Sequence, residues 1–270
     1  MKSKLLLMIN KPIGEKILTD LIHRGADIRG IITEEEDGKG WWKPTRIREI
    51  AKENNITVYK THRTILPLDE YDVAISVQYA KILEEGFIDK FEYVLNLHFA
   101  ELPRYRGMNS SAHAIMNARK DNHWRAGVAL HYIDAGIDTG KIIEVGTVGF
   151  DGNTLNKDLY NDLEGVAWSL YQQYVDYIMY GGNVVGVNQR GFIDKDNPCY
   201  YYYANSLSDK LIRDVGDFER AWDIARALYF PPFDPAHTVI GGQKYYVLPN
   251  IDNYALDTYL EIPDWYYGVD

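Results

Sequence analysis

Leu5-Leu6-Leu7-Met8-Ile9, closed by Asn10-Lys11-Pro12, is the stretch from which the fold is read. Five consecutive apolar residues ended by a turn suit a strand buried on both faces. The run is too brief for a secretory signal, and no small-residue cleavage site follows it. Outward from it, apolar runs of strand length recur at 28–33, 56–59, 73–77, 94–98 and 128–133. Helical patterns fall between them at 13–24, 45–54 and 110–118, with Pro44 where a helix can begin. This alternation predicts an α/β, doubly wound domain with a mostly parallel sheet covered on both faces. A further strand is expected at 141–150, then a long helix at 154–180 that closes the domain and stops at Gly181-Gly182.

Beyond Gly181 the texture changes. Residues 194–198 are polar and turn-prone, 218–229 suit an amphipathic helix, and 238–248 carry the Gly241-Gly242 signal of a β-hairpin. The expected division is a principal domain over 1–180 and a small C-terminal α+β hairpin domain over 181–270. The first strand-to-helix turn, Met-Ile-Asn-Lys-Pro-Ile-Gly over 8–14, lacks the Gly-x-Gly-x-x-Gly cradle of dinucleotide sites, and there is no Walker phosphate loop.

Composition narrows the function further. The 270 residues carry a formal net charge of −10, and residues 181–270 hold 7 Lys/Arg against 13 Asp/Glu, which argues against nucleic acid as a partner. No apolar run approaches the ~20 residues that span a bilayer, so no membrane partner is expected. A lone cysteine, Cys199, excludes an internal disulfide and a cysteine-based zinc cluster, and fits a cytoplasmic protein. The 22 tyrosines and 6 tryptophans crowd towards the C-terminus, where they suit a core and an interface. Pairing of the 238–248 hairpin with its twin predicts a homodimer.

Three elements carry chemistry. In Val94-Leu95-Asn96-Leu97-His98, strand alternation presents Asn96 and His98 on one face, at the C-terminal end where open α/β sheets bind ligands. A carboxamide N–H stabilises a developing oxyanion and an imidazole manages protons near neutral pH. Alone, the pair reads sooner as a structural histidine beside an amide. The second element is the basic loop Leu102-Pro103-Arg104-Tyr105-Arg106-Gly107. The third, His131-Tyr-Ile-Asp134-Ala-Gly136-Ile-Asp138-Thr-Gly140, is a strand running into a glycine-punctuated turn with two carboxylates, either of which suits His98.

The order of these elements resembles the folate-dependent formyltransferase family, strongly over about 76–146. By that resemblance Asn96, His98 and Asp138 take the catalytic positions, Asp138 being the carboxylate that directly precedes Thr-Gly. The resemblance implies 10-formyltetrahydrofolate as cosubstrate, no metal, and a folate pocket formed by Gln78, Tyr79, Ala80, Ile82, Ile133, Asp134 and Gly136. Two departures stand out: extra length at 120–125, and Phe99-Ala100-Glu101 where many members have Pro-Ser-Leu.

Among family branches, the glycinamide ribonucleotide type starts with a Gly-rich phosphate loop that this chain lacks. The methionyl-tRNA type carries a larger basic C-terminal domain, whereas 181–270 is short and acidic. The nucleotide-sugar branch fits the remainder, including Arg226-Ala-Leu-Tyr-Phe-Pro-Pro-Phe-Asp-Pro. It implies an acceptor amine on a TDP-, UDP- or GDP-linked aminodideoxysugar, in glycan assembly of the O-antigen type. Candidate nucleotide contacts are Asn10, Lys11 and Arg104, with Tyr105, Met108 and Asn109 at the sugar. Competing readings are a formyltetrahydrofolate hydrolase and a catalytically silent binding module on the same fold.

Overall fold

The computed structural model describes residues 1–34, 44–65, 70–182 and 184–268. Its central sheet has seven strands: β1 (Lys4–Ile9), β2 (Asp27–Ile32), β3 (Thr57–Tyr59), β4 (Val73–Val77), β5 (Tyr93–His98), β7 (Arg125–Tyr132) and β8 (Ile142–Gly149), with the short strand β6 (Tyr105–Gly107) lying between β5 and β7 in sequence. Their order is β3-β2-β1-β4-β5-β7-β8. Pairings from β3 through β5 are parallel, and β7 runs antiparallel to β5. The strands expected from the apolar runs are all present, with ends displaced by up to three residues.

The order of the strands reverses between β1 and β4, so their carboxyl ends open the switch-point crevice where such sheets bind ligands. Leu6, Met8, Ala74 and Val94 enter one core cluster with Phe87 and Phe91. Leu5, Leu7 and Ile9 are equally buried and, by alternation, face the other side. Helix α1 (Lys11–His23) begins at once after β1, and a Cβ on its Gly14 would lie 3.0 Å from that of Ile9, so helix and strand pack closely. The remaining helices are α2 (Ile47–Glu53), α3 (Glu85–Ile88), α4 (Ser110–Asp121), α5 (Asn156–Tyr180) and α6 (Phe218–Ala227). The later part of α5 docks on α1: Tyr171 donates to Asp20 at 2.7 Å and the Lys16 ammonium sits 4.0 Å over the Trp168 ring.

The chain forms two compact units that interleave along the sequence. The first comprises Met1–Arg106, Gly127–Gly146 and Glu164–Cys199, and the second Gly107–Ala126, Thr147–Leu163 and Tyr200–Asp270. In the second, the short strand β9 (Tyr200–Tyr202) precedes an antiparallel sheet of β10 (Ala236–Ile240), β11 (Gln243–Asn250) and β12 (Ala255–Tyr259). Gly241 and Gly242 both take positive φ in the tight turn between β10 and β11, as the hairpin signal requires. The third strand had no comparable signal.

The same unit is tied together by a buried ion network. Arg226 on α6 is fully buried, pairs with Asp223 at 3.1 Å, and donates to the carbonyls of Asp151 and Thr154 at 2.9 and 3.0 Å. Arg119 on α4 reaches the same Asp223 at 3.0 Å. The Arg226 segment thus joins α6 to the turn before α5.

Candidate active site

Antiparallel register sets the site. Asn96 on β5 lies opposite His131 on β7, and both side chains project from one face of the sheet. Nδ2 of Asn96 stands 3.2 Å from Nε2 of His131, while Nδ1 of His131 lies 2.7 Å from the carbonyl of Tyr132. A carbonyl only accepts, so Nδ1 carries the proton and Nε2 accepts from the Asn96 amide. Burial pushes the His131 imidazole down to about 4, helped by the nearby His98, which keeps the ring neutral and this tautomer in place. The amide of Asn96 therefore faces one way.

Asp138 completes the group. Its carboxylate lies 3.5 Å from Nε2 of His98 and 3.9 Å from Nε2 of His131, and the two rings meet edge to face at 6.0 Å. Asp134, the other carboxylate of the turn, points elsewhere. Its Oδ1 accepts from the Gly136 N–H at 3.0 Å and from the Thr139 hydroxyl at 2.6 Å, closing the loop upon itself. A Cβ on Gly140 would stand 1.8 Å from the carbonyl oxygen of Tyr132, so only glycine lets the loop return so close to β7. Asp138 itself sits at φ 51, in the left-handed region.

The folate candidates divide by environment. Tyr79 and Ile133 are half-buried against the cluster of Leu83, Phe87 and Val94. The Tyr79 hydroxyl bonds to Nδ1 of His62 at 2.8 Å, and the other ring nitrogen of His62 meets Glu84 at 2.6 Å. Arg63 and then His62 hold the Glu84 carboxyl down to about 2. Ala80, Ile82, Asp134 and Gly136 are exposed. Gln78 takes φ 61 and accepts from the Lys11 ammonium at 2.8 Å.

Among the nucleotide-sugar candidates, Asn10 is a buried strut at the switch point. Its Nδ2 donates to the Gln78 carbonyl at 3.0 Å, and its Oδ1 accepts from the Thr33 hydroxyl and the Glu34 N–H, each at 3.0 Å. Lys11 sits beside it at φ 64. Arg104 and Tyr105 are buried, and Arg104 donates to Asn197 at 3.3 Å. Met108 is exposed, and Asn109 sits at φ 60 with its amide on Ser206 at 3.3 Å. Lys11, Gln78, Asn109 and Asp138 are thus four of the seven non-glycine residues in the left-handed region among the described residues.

Sequence reasoning passed over His131 as a site residue. Its signal was a lone polar residue directly after the apolar run 126–130, and only the register opposite Asn96 gives it meaning. Gln189, buried beneath the Asp138 turn, had no signal at all.

An open α/β sheet that gathers an oriented amide, an imidazole and a carboxylate at strand ends is the framework of an acyl-transfer enzyme. The sequence profile of the formyl transferase family matches residues 43–175, so this chain carries a formyl transferase domain, and that segment holds Asn96, His98 and Asp138. The GDP-perosamine N-formyltransferase of Brucella melitensis is 29% identical over 257 residues, covering 89% of this chain and 90% of that protein. A methionyl-tRNA formyltransferase of Syntrophomonas wolfei is 25% identical, covering 84% of this chain and 72% of its own length. In fold, the N-formyltransferase of Helicobacter canadensis, solved with folinic acid and dTDP-3-aminofucose, superposes with a TM-score of 0.70 at 21% identity, over 92% of this chain and 89% of that one.

Proposed function

We propose that this protein transfers the formyl group of 10-formyltetrahydrofolate to the amine of a nucleotide-linked aminodideoxysugar. The observation that carries the chemistry is the Asp138 carboxylate 3.5 Å from the His98 imidazole, with Asn96 joined to the same carboxylate through His131. The acceptor class is supported by the GDP-perosamine enzyme, which matches 89% of this chain, and by the acidic residues 181–270, which disfavour a tRNA.

In the reaction the acceptor nitrogen bonds to the formyl carbon, the bond from that carbon to the folate nitrogen breaks, and the amine proton passes to the departing nitrogen. The Asn96 amide, held in one orientation by His131, donates to the oxygen as negative charge gathers there. Protonated His98 donates to the same oxygen. Asp138 sustains the charge on His98 and, directly or through water, takes the proton of the attacking amine and passes it to the departing folate nitrogen. Tyr79 and Ile133 offer an apolar wall for the pterin, with Gln78, Ala80, Ile82, Asp134 and Gly136 around it. Lys11 and Arg104 supply cations for the nucleotide diphosphate, Asn10 braces Lys11, and Tyr105, Met108 and Asn109 approach the sugar.

We further propose residues 1–180 as the catalytic part and 181–270 as the accessory part, a homodimer joined through the β10–β11 hairpin, and a cytoplasmic role in O-antigen-type glycan assembly. No helix among the described residues is long and apolar enough to cross a membrane.

Incubation with 10-formyltetrahydrofolate and a panel of GDP-perosamine, dTDP-3-aminofucose, glycinamide ribonucleotide and methionyl-tRNA tests the assignment. A formyl mass increment on an aminosugar is expected. Formylation of only the last two acceptors, or formate release with no amine present, would overturn it.

A further inference from the structure

We propose that Gln189 is a positioning residue for the Asp138 carboxylate, turned to its task by Arg106; this rests on the reading of Asn96, His98 and Asp138 as the reacting groups. Gln189 opens the short 3-10 turn Gln189–Phe192 and is 1% exposed. Its Nε2 donates to the carbonyls of Asp138 and Gly140 at 2.8 and 2.7 Å. Its Oε1 accepts from Nε and Nη2 of Arg106 at 3.2 and 2.8 Å. An amide has two N–H donors and an oxygen with two lone pairs, so these four bonds use the whole side chain. The reverse orientation would set oxygen against two carbonyl oxygens and N–H against guanidinium N–H. Arg106 therefore decides which end of the amide faces the loop.

The consequence falls on Asp138. Its left-handed backbone, φ 51, is disfavoured for a residue with a Cβ and persists only where the surroundings hold it. Asp134 ties the loop at Gly136 and Thr139. Gln189 grips the main chain of Asp138 itself and of Gly140, on either side of Thr139. The carboxylate leaves the same Cα as the gripped carbonyl, so its place beside both histidines follows from that grip. Arg106 lies in the basic loop after β5, and through Gln189 that loop acquires a role in catalysis apart from any contact with substrate.

Crystal structures of the wild type and Gln189→Glu, with kcat and KM measured on GDP-perosamine and 10-formyltetrahydrofolate, test the proposal. A glutamate keeps the acceptor for Arg106 and the side chain's length but brings no N–H to the two carbonyls. The Asp138 carboxylate is expected to leave its place beside His98 and His131. Turnover should fall about 100-fold, the cost of an ångström's misplacement, with the KM for 10-formyltetrahydrofolate little changed. In an Asp138→Ala background the same substitution should cost nothing more. Gln189→Met, of similar volume, serves if the glutamate variant does not fold. An unmoved carboxylate, or a loss that multiplies with that of Asp138→Ala, overturns the proposal. Wild-type turnover in Asp138→Ala alone would instead sink the assignment of the reacting groups, and the crystallographic displacement would still decide whether Gln189 grips the loop.

Discussion

Nε2 of His131 accepts a hydrogen bond from the side-chain amide of Asn96 across the β5–β7 ladder, at 3.2 Å. The bond leaves the second N–H of that amide to the reacting oxygen. Asn96→Ala should lower kcat about 10²–10³-fold, the usual cost of an oxyanion donor. His131→Leu should lower it less, and the double variant should resemble Asn96→Ala, since one residue acts through the other. Steady-state kinetics decides, and independent losses would refute the coupling.

Asp138 and Asp134 share a loop but not a role. Asp138→Asn keeps the shape and removes the charge beside His98, so kcat should fall about 10²–10⁴-fold. Asp134→Ala opens the turn at Gly136 and Thr139, so its main effect should be a raised KM for 10-formyltetrahydrofolate. Equal effects of the two on kcat would contradict the separation.

Gly140→Ala places a methyl group 1.8 Å from a backbone oxygen that cannot step aside. The loop or β7 must shift, at about 3 kcal/mol or more. Urea denaturation reads this directly, and a variant of wild-type stability would show the loop to be far looser than its contacts indicate.

His113 makes stability depend on pH. Its ring stacks on Tyr202 at 3.4 Å and bonds to Ser206 at 2.8 Å, and burial pushes it down to about 4 from an ordinary 6.5. Between these values the unfolded chain binds a proton that the native one refuses. Its contribution is therefore full above 6.5 and lost as pH falls towards 4, at about 1.4 kcal/mol per unit. The fall attached to Glu84, held down to about 2 from 4.5, begins only below 4.5. His113→Phe keeps the stack and cannot titrate, so its melting temperature should decline less between pH 6.5 and 4.5. Identical slopes for the two proteins would rule this source out.

Arg226 is fully buried and held by Asp223 and two carbonyls. Arg226→Met strands those acceptors and should cost about 3–5 kcal/mol in chemical denaturation. Arg226→Lys should recover little, because a single ammonium cannot reach the forked set of partners.

The sequence by itself determined the α/β class, the strands of the sheet, the length of α5 and the β10–β11 turn. Each follows from local periodicity or from a glycine that the backbone demands. Asn96, His98 and the Asp138 turn were legible for a related reason: alternation and motif order are properties of neighbouring residues. Only the tertiary structure decided the rest. Spacing left Asp134 and Asp138 open and the family resemblance named Asp138; what the structure adds is that the loop consumes Asp134 in its own hydrogen bonds. The part of His131 depends on the register of two strands joined through α4. Gln189, 51 residues beyond Asp138, belongs to the site solely because the chain after α5 returns beneath the loop. The partners that Asn10 and Arg104 take, the Gln78 carbonyl and Asn197, likewise lie on distant segments. Hydrogen bonds between distant segments leave no periodic trace, and those bonds orient the groups proposed to react.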